Sequence, residues 1–127
     1  MTGPETRIQR QMQATVRARG GYVLKVHGSP MMPNGTPDLL ACYKGYFLAF
    51  EVKTPQTKTD VSPAQRLRLK QIRDAGGGAY VVWDVDRVEE ILDSIDRMIS
   101  VVDDALDSLP EEAAEGALDR WHRSVDK

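Results

Sequence analysis

A single cysteine, two histidines and the want of any long apolar run set the first limits on this chain of 127 residues. One thiol cannot close an internal disulfide. Cys42 lies inside an apolar stretch, where a small buried and inert thiol is expected rather than a nucleophile. The chain is therefore expected to work in a reducing, cytoplasmic compartment. No apolar run approaches the ~20 residues of a membrane span, and the opening Met-Thr-Gly-Pro-Glu lacks the apolar core of a secretion signal. No membrane partner is expected. What is present, 41% hydrophobic residues, fits one soluble domain with one core.

The small net charge of −2 conceals an uneven distribution. Residues 1–86 hold twelve Lys and Arg against seven Asp and Glu, a net of +5, and residues 87–127 hold five against twelve, a net of −7. A basic body with an acidic C-terminal extension is compatible with nucleic-acid binding by the body. The acidic run also reads as the solvated face of a helix.

The stretch Gly35 to Lys53 carries the strongest signal. It reads as two apolar strands joined at Lys44-Gly45, with acidic residues near both ends. A two-residue hairpin loop pairs Tyr43 with Tyr46 and sets Asp38 opposite Glu51. Strand side chains alternate with period two, so Lys53 shares the face of Glu51. A three-residue loop would instead put Asp38 opposite Val52. Two carboxylates ~4 Å apart repel by roughly 4 kcal/mol at an effective dielectric near 20. A shared proton or a bound cation relieves this, and hard oxygen ligands suit Mg²⁺ or Mn²⁺. Such an ion polarises a phosphate and acidifies bound water, while Lys53 serves that water or the developing negative charge.

The remaining segments place further candidates. Pro4 to Arg19 reads as a helix bounded by Pro4 and Gly20-Gly21. Ile8, Met12 and Val16 form its apolar stripe, and Glu5 shares it. Arg7 and Arg10 face outward and are available to phosphates. Tyr22 to His27 alternates as a strand. The Gly- and Pro-rich loop from Gly28 to Pro37 forms a candidate rim, with Met31 and Met32 expected against the core. A polar loop carries Lys58. Ser62 then caps a helix, with Pro63 at its first position and Gln65 completing a capping box. Gln65 also falls on the buried arc, where a polar group needs a partner; both readings stand. Arg66, Lys70 and Arg73 line the other side as candidate phosphate contacts or a solvated face. Ala79 to Val85 reads as a strand parallel to the one ending at Glu51. From Arg87, Val88, Ile95, Val102 and Leu109 recur every seven residues, the seam of a long helix with part of it free for a second subunit. A further helix starts at Ser108 to Glu111, with Ala114, Ala117, Leu118 and Trp121 on one face.

Pro37-Asp38 followed by Glu51-Val52-Lys53 resembles the PD-(D/E)xK nuclease motif. With Glu5, the Gly35 to Asp38 block and Ser62 to Gln65, the pattern is similar to the VRR-NUC branch, the virus-type replication-repair nucleases, and to small phage Holliday-junction resolvase-like nucleases. It covers roughly Glu5 to Asp86. The resemblance implies a restriction-endonuclease-like α/β fold: a mixed sheet flanked by helices over residues 1–86, with residues 87–127 as a helical C-terminal extension. It also implies a Mg²⁺- or Mn²⁺-dependent endonuclease acting on branched DNA in phage or bacterial replication, recombination and repair, as a homodimer. Asp38, Glu51, the Val52 carbonyl and Glu5 would hold the metal, with Lys53 and Gln65 completing the catalytic set. The alternative is a catalytically idle nucleic-acid-binding or assembly module on the same fold.

Overall fold

The fold is organised by the turn at Lys44-Gly45. Both residues take positive φ, 49° and 85°, the paired left-handed conformation that lets a two-residue loop match the twist of its strands. In the computed structural model, which describes residues 3–125, this turn joins β2 (Leu39–Tyr43) to β3 (Tyr46–Val52). Tyr43 pairs with Tyr46 and Leu39 with Phe50, the register expected of the short loop. β1 (Tyr22–Lys25) adds antiparallel to β2, and β4 (Gly78–Val82) adds parallel to β3, so the order is β1-β2-β3-β4. The parallel pair is joined, as a crossover requires, through the helix α2 (Pro63–Asp74).

Strand alternation divides the side chains into two sets. Leu39, Tyr43, Leu48, Phe50, Val52 and Val82 share one face and are buried. The helix α1 (Pro4–Ala18) and the first turns of α3 (Val85–Asp107) cover it. The Arg19 guanidinium lies 5.8 Å from the Tyr43 ring centroid and also donates to the Glu89 carbonyl, while Arg87 lies over the Tyr80 ring. On the opposite face α2 sets Leu69 against Ala49 and Ala79, flanked by Leu40, Ile72 and Val81. α2 covers only part of this second face. Cys42 consequently is exposed, contrary to the buried thiol expected from its apolar neighbours. Met31 is likewise 92% exposed rather than packed on the core.

The buried stripe of α1 differs from expectation at one position. Gln9, Met12 and Val16 are its buried residues, and Ile8 is only half-buried. α3 ends at Asp107, so Leu109 falls outside it. Residue contacts divide the chain into two compact units, with the division between Leu92 and Asp93. In the second unit the later turns of α3 carry exposed Met98, Val101, Val102 and Leu106, and α4 spans Glu111–Val125. Ala114, Ala117 and Leu118, expected to line one face of α4, have side chains outside the described residues. No helix among the described residues is long and apolar enough to cross a membrane.

Candidate active site

One step beyond the last ladder pair, Leu39 with Phe50, Asp38 stands opposite Glu51. Alternation carries Asp38, Glu51 and Lys53 to the face that α2 covers. Glu51 is 3% exposed. Its Oε1 lies 3.4 Å from Lys53 Nζ and accepts from Gln65 Nε2 at 2.9 Å. Lys53 Nζ donates in turn to Gln65 Oε1 at 3.2 Å. The amide of Gln65 thus bridges the carboxylate and the ammonium.

Gln65 can do this because of how α2 begins. Ser62 Oγ accepts from the Gln65 N–H at 3.1 Å, and Gln65 Oε1 accepts from the Ser62 N–H at 2.9 Å. The capping box and the site contact are both present, and the cap locks the rotamer that aims the amide at Glu51. A close approach elsewhere fixes the helix start against the loop that leads to Asp38. Gly35 has φ +83°, and a Cβ there would stand 2.4 Å from the Ala64 carbonyl carbon. Any side chain at position 35 would push the loop leading to Asp38 away from α2.

Pro37 also has a physical role. The Lys53 N–H goes to the Val82 carbonyl of β4 at 2.9 Å, so the polar groups of Val52 face β2. There the Val52 N–H finds Asp38 Oδ2 at 2.8 Å. The backbone position facing Val52 belongs to Pro37, which has no N–H to give the Val52 carbonyl. That carbonyl is therefore spared from the ladder, beside Asp38.

Burial pushes the Glu51 carboxyl up from 4.5 to about 7, helped by the charge of Asp38 and by their mutual hydrogen bond, while Lys53 pulls the other way. The pair is short of positive charge near neutral pH. Two carboxylates and a spared carbonyl form a hard-oxygen donor set, and Mg²⁺ is commonly held by only one or two carboxylates with water and phosphate completing its shell. The residues present therefore fit such an ion. Asp38 also lines a cleft of about 430 Å³ walled by the loop from Gly28 to Thr36, which gives the rim expected from that loop an observed counterpart.

Glu5 is not brought to this pair. It is exposed near the start of α1, on the helix that covers the other face, and accepts from Gln9 Nε2 at 3.4 Å. Among the described residues no group of three or more His, Cys, Asp or Glu is placed to hold a metal. Sequence reasoning missed Gln9, which is 4% exposed with an unpartnered Oε1. Its signal was available: Glu5, Gln9, Met12 and Val16 follow the 4-3-4 spacing of one helix stripe. Of the candidate phosphate contacts, Arg7, Arg10, Lys58, Arg66, Lys70 and Arg73 are all exposed. Lys70 is paired with Asp74 at 2.6 Å. Arg73 donates Nε and Nη2 to the Ala79 carbonyl.

The family described as archaeal Holliday junction resolvase (Hjc) matches residues 5–109 of this chain. Among solved structures, one described as a VRR_NUC domain is similar at a TM-score of 0.58 and 28% identity, over 71% of this chain and 95% of that one. A Holliday junction resolvase, Hjc, from the archaeal hyperthermophile Archaeoglobus fulgidus is similar at a TM-score of 0.49 and 27% identity, over 62% of this chain and 66% of that one. No curated protein matches.

Proposed function

This chain belongs to the archaeal Holliday junction resolvase family and is a structure-selective DNA endonuclease, and we propose that Asp38, Glu51, Lys53 and Gln65 form its hydrolytic centre with Mg²⁺ or Mn²⁺. The observation that carries this is the convergence of Asp38 and Lys53 on Glu51, whose buried carboxyl is held near pH 7. The ligands are Asp38, Glu51 and the Val52 carbonyl; Glu5, placed apart, is not among them in this conformation. When bound, the ion polarises the scissile phosphate and makes its water acidic enough to attack near neutral pH. The Lys53 ammonium stands beside Glu51, where it can orient that water and offset charge on the phosphate oxygens. Gln65 orients Glu51 and Lys53 together. Arg7, Arg10, Lys58, Arg66, Lys70 and Arg73 supply phosphate contacts that position the DNA. Of these, Lys70 contributes least, because Asp74 already neutralises it. Residues 1–86, together with the first turns of α3 as far as Leu92, serve as the nuclease core, and the rest of residues 87–127 as an acidic helical extension, in a cytoplasmic protein.

The test is a panel of labelled four-way junction, flap, linear duplex and single-stranded DNA with Mg²⁺, Mn²⁺ or EDTA. Nicks in the junction arms, dependent on the metal and absent from linear duplex, are the expected result. Cleavage that persists in EDTA, or that ignores branching, would remove the metal centre or the selectivity respectively.

A four-way junction presents two equivalent strands, and a two-fold homodimer places one site on each. Support for a dimer comes from Met98, Val101, Val102 and Leu106, apolar residues left exposed on successive turns of α3. Sedimentation at micromolar concentration should give twice the 14.2 kDa chain mass. Replacing Val101 and Val102 together by Glu should return the single-chain mass. A wild-type monomer would reject the dimer, and an undisturbed dimer in the double variant would move its interface elsewhere.

A further inference from the structure

We propose that Lys58, Arg66, Arg73 and Trp83 form a nucleotide subsite beside the hydrolytic centre, which grips the phosphate next to the scissile one and stacks its unpaired base. The proposal deepens the endonuclease reading and rests on it. A cavity of about 350 Å³ opens between the Lys58 loop, α2 and β4, with Lys58, Thr59, Arg66, Arg73 and Val81 on its wall. Val81 is the β-partner of Glu51 on the neighbouring strand, and both side chains share one face. The cavity therefore begins one strand spacing, ~4.8 Å, from the carboxylate pair.

Its chemistry is that of an anion site. Three cations line it with no carboxylate, and none of the three has an ion-pair partner among the described residues. Two of them are already oriented by backbone oxygens. Arg66 spends Nε on the Val61 carbonyl at 3.2 Å, and Arg73 spends Nε and Nη2 on the Ala79 carbonyl. This fixes both guanidinium planes and leaves further N–H donors for a phosphate. Lys70, on the same helix but outside the cavity, shows the contrast, since Asp74 neutralises it.

Trp83 supplies the base contact. It lies one residue past β4, so the register of Val52 with Val82 sets it beside Lys53 on the face of the site. The indole is 36% exposed, and the Lys58 ammonium lies 5.4 Å from its centroid. An exposed indole next to convergent cations is the combination that holds single-stranded nucleic acid, where every base offers a π-face. A base inside an intact duplex is held in its stack, whereas the pairs that flank a branch point open more readily, and a base freed there can stack on the indole. Trp83 thereby favours branched over linear DNA.

The chain has two tryptophans, so Trp121→Phe leaves Trp83 as the sole reporter. In EDTA, titration of this variant with four-way junction should quench its fluorescence saturably, and linear duplex should quench it less. Adding Lys58→Ala and Arg66→Ala should lower the slope of log affinity against log salt by about two. It should raise KM for junction cleavage with kcat within about twofold. Lys44→Asn, which removes an exposed cation at the far end of the hairpin, should leave slope and KM unchanged. Trp83→Leu should reduce the preference for junction over duplex. An unquenched Trp83, or an unaltered slope in the Lys58 and Arg66 double variant that still cuts junctions, overturns the subsite alone. A wild-type protein that neither binds nor cuts any DNA overturns the endonuclease reading beneath it.

Discussion

Lys53→Ala is expected to slow junction cleavage by roughly 10³-fold, the range seen when a proton-transfer or charge-stabilising group is removed from a reacting centre. Junction affinity should fall far less, since the cations that position the phosphates lie elsewhere. The structural reason is that, among the described residues, Lys53 is the one cation seated on the buried carboxylate, 3.4 Å from Glu51 Oε1, and it also donates to the Gln65 amide at 3.2 Å. Truncation leaves Glu51 buried beside Asp38 with no ammonium to balance either carboxylate. Single-turnover cleavage under saturating enzyme isolates this loss from binding. Gln65→Ala should give a smaller decrease, because it loosens the geometry of Glu51 and Lys53 without removing either. A Lys53→Ala rate within tenfold of wild type, still dependent on the metal, would take Lys53 out of the chemistry.

The parts of this centre that were legible in sequence are those set by short-range rules. Lys44-Gly45 admits the two positive φ angles of a tight turn, and once the loop is two residues long the register carries Asp38 opposite Glu51 without further information. Ser62-Pro63-Ala64-Gln65 likewise names its own helix start, and both roles read for Gln65, cap and site contact, are met. The fold class follows from the same local signals, since a hairpin followed by a helix and a strand leaves a parallel crossover as the natural closure.

What was not legible depends on which surface a helix happens to cover. Cys42 lies in an apolar strand, yet it is exposed because α2 covers only part of that sheet face, and nothing in the strand itself records that limit. Glu5 sits on the right stripe of α1, but α1 packs on the sheet face opposite to the carboxylates. Periodicity gives the stripe and not the face of the sheet that receives it. Gln9 was overlooked because a polar residue on a helix is read as solvated, although its spacing from Met12 and Val16 matches the buried arc. The long α3 was anticipated from its seven-residue repeat. Its end at Asp107 precedes Leu109, where Pro110 disfavours helical geometry in the residue before it.

Glu51→Gln is expected to stabilise the metal-free protein at pH 8 while destroying its activity. The folded protein holds the Glu51 proton to about pH 7, and an unburied carboxyl releases it near 4.5. Between those two values the folded state binds more protons than the unfolded chain, so stability falls as pH rises and levels off above about 7. A shift of this size corresponds to about 3 kcal/mol. The uncharged amide of Gln keeps an oxygen to accept from Gln65 Nε2 and carries no charge to desolvate. In EDTA the melting temperatures of the two proteins should therefore nearly agree at pH 5. At pH 8 they should separate by on the order of 10 °C in favour of the variant. Saturating Mn²⁺ at pH 8 should close the gap from the other side, because an ion held by Asp38 and Glu51 stabilises only the protein that binds it. An equal difference at both pH values would mean that the change acts through packing, and that the carboxyl of Glu51 ionises without strain in the folded protein.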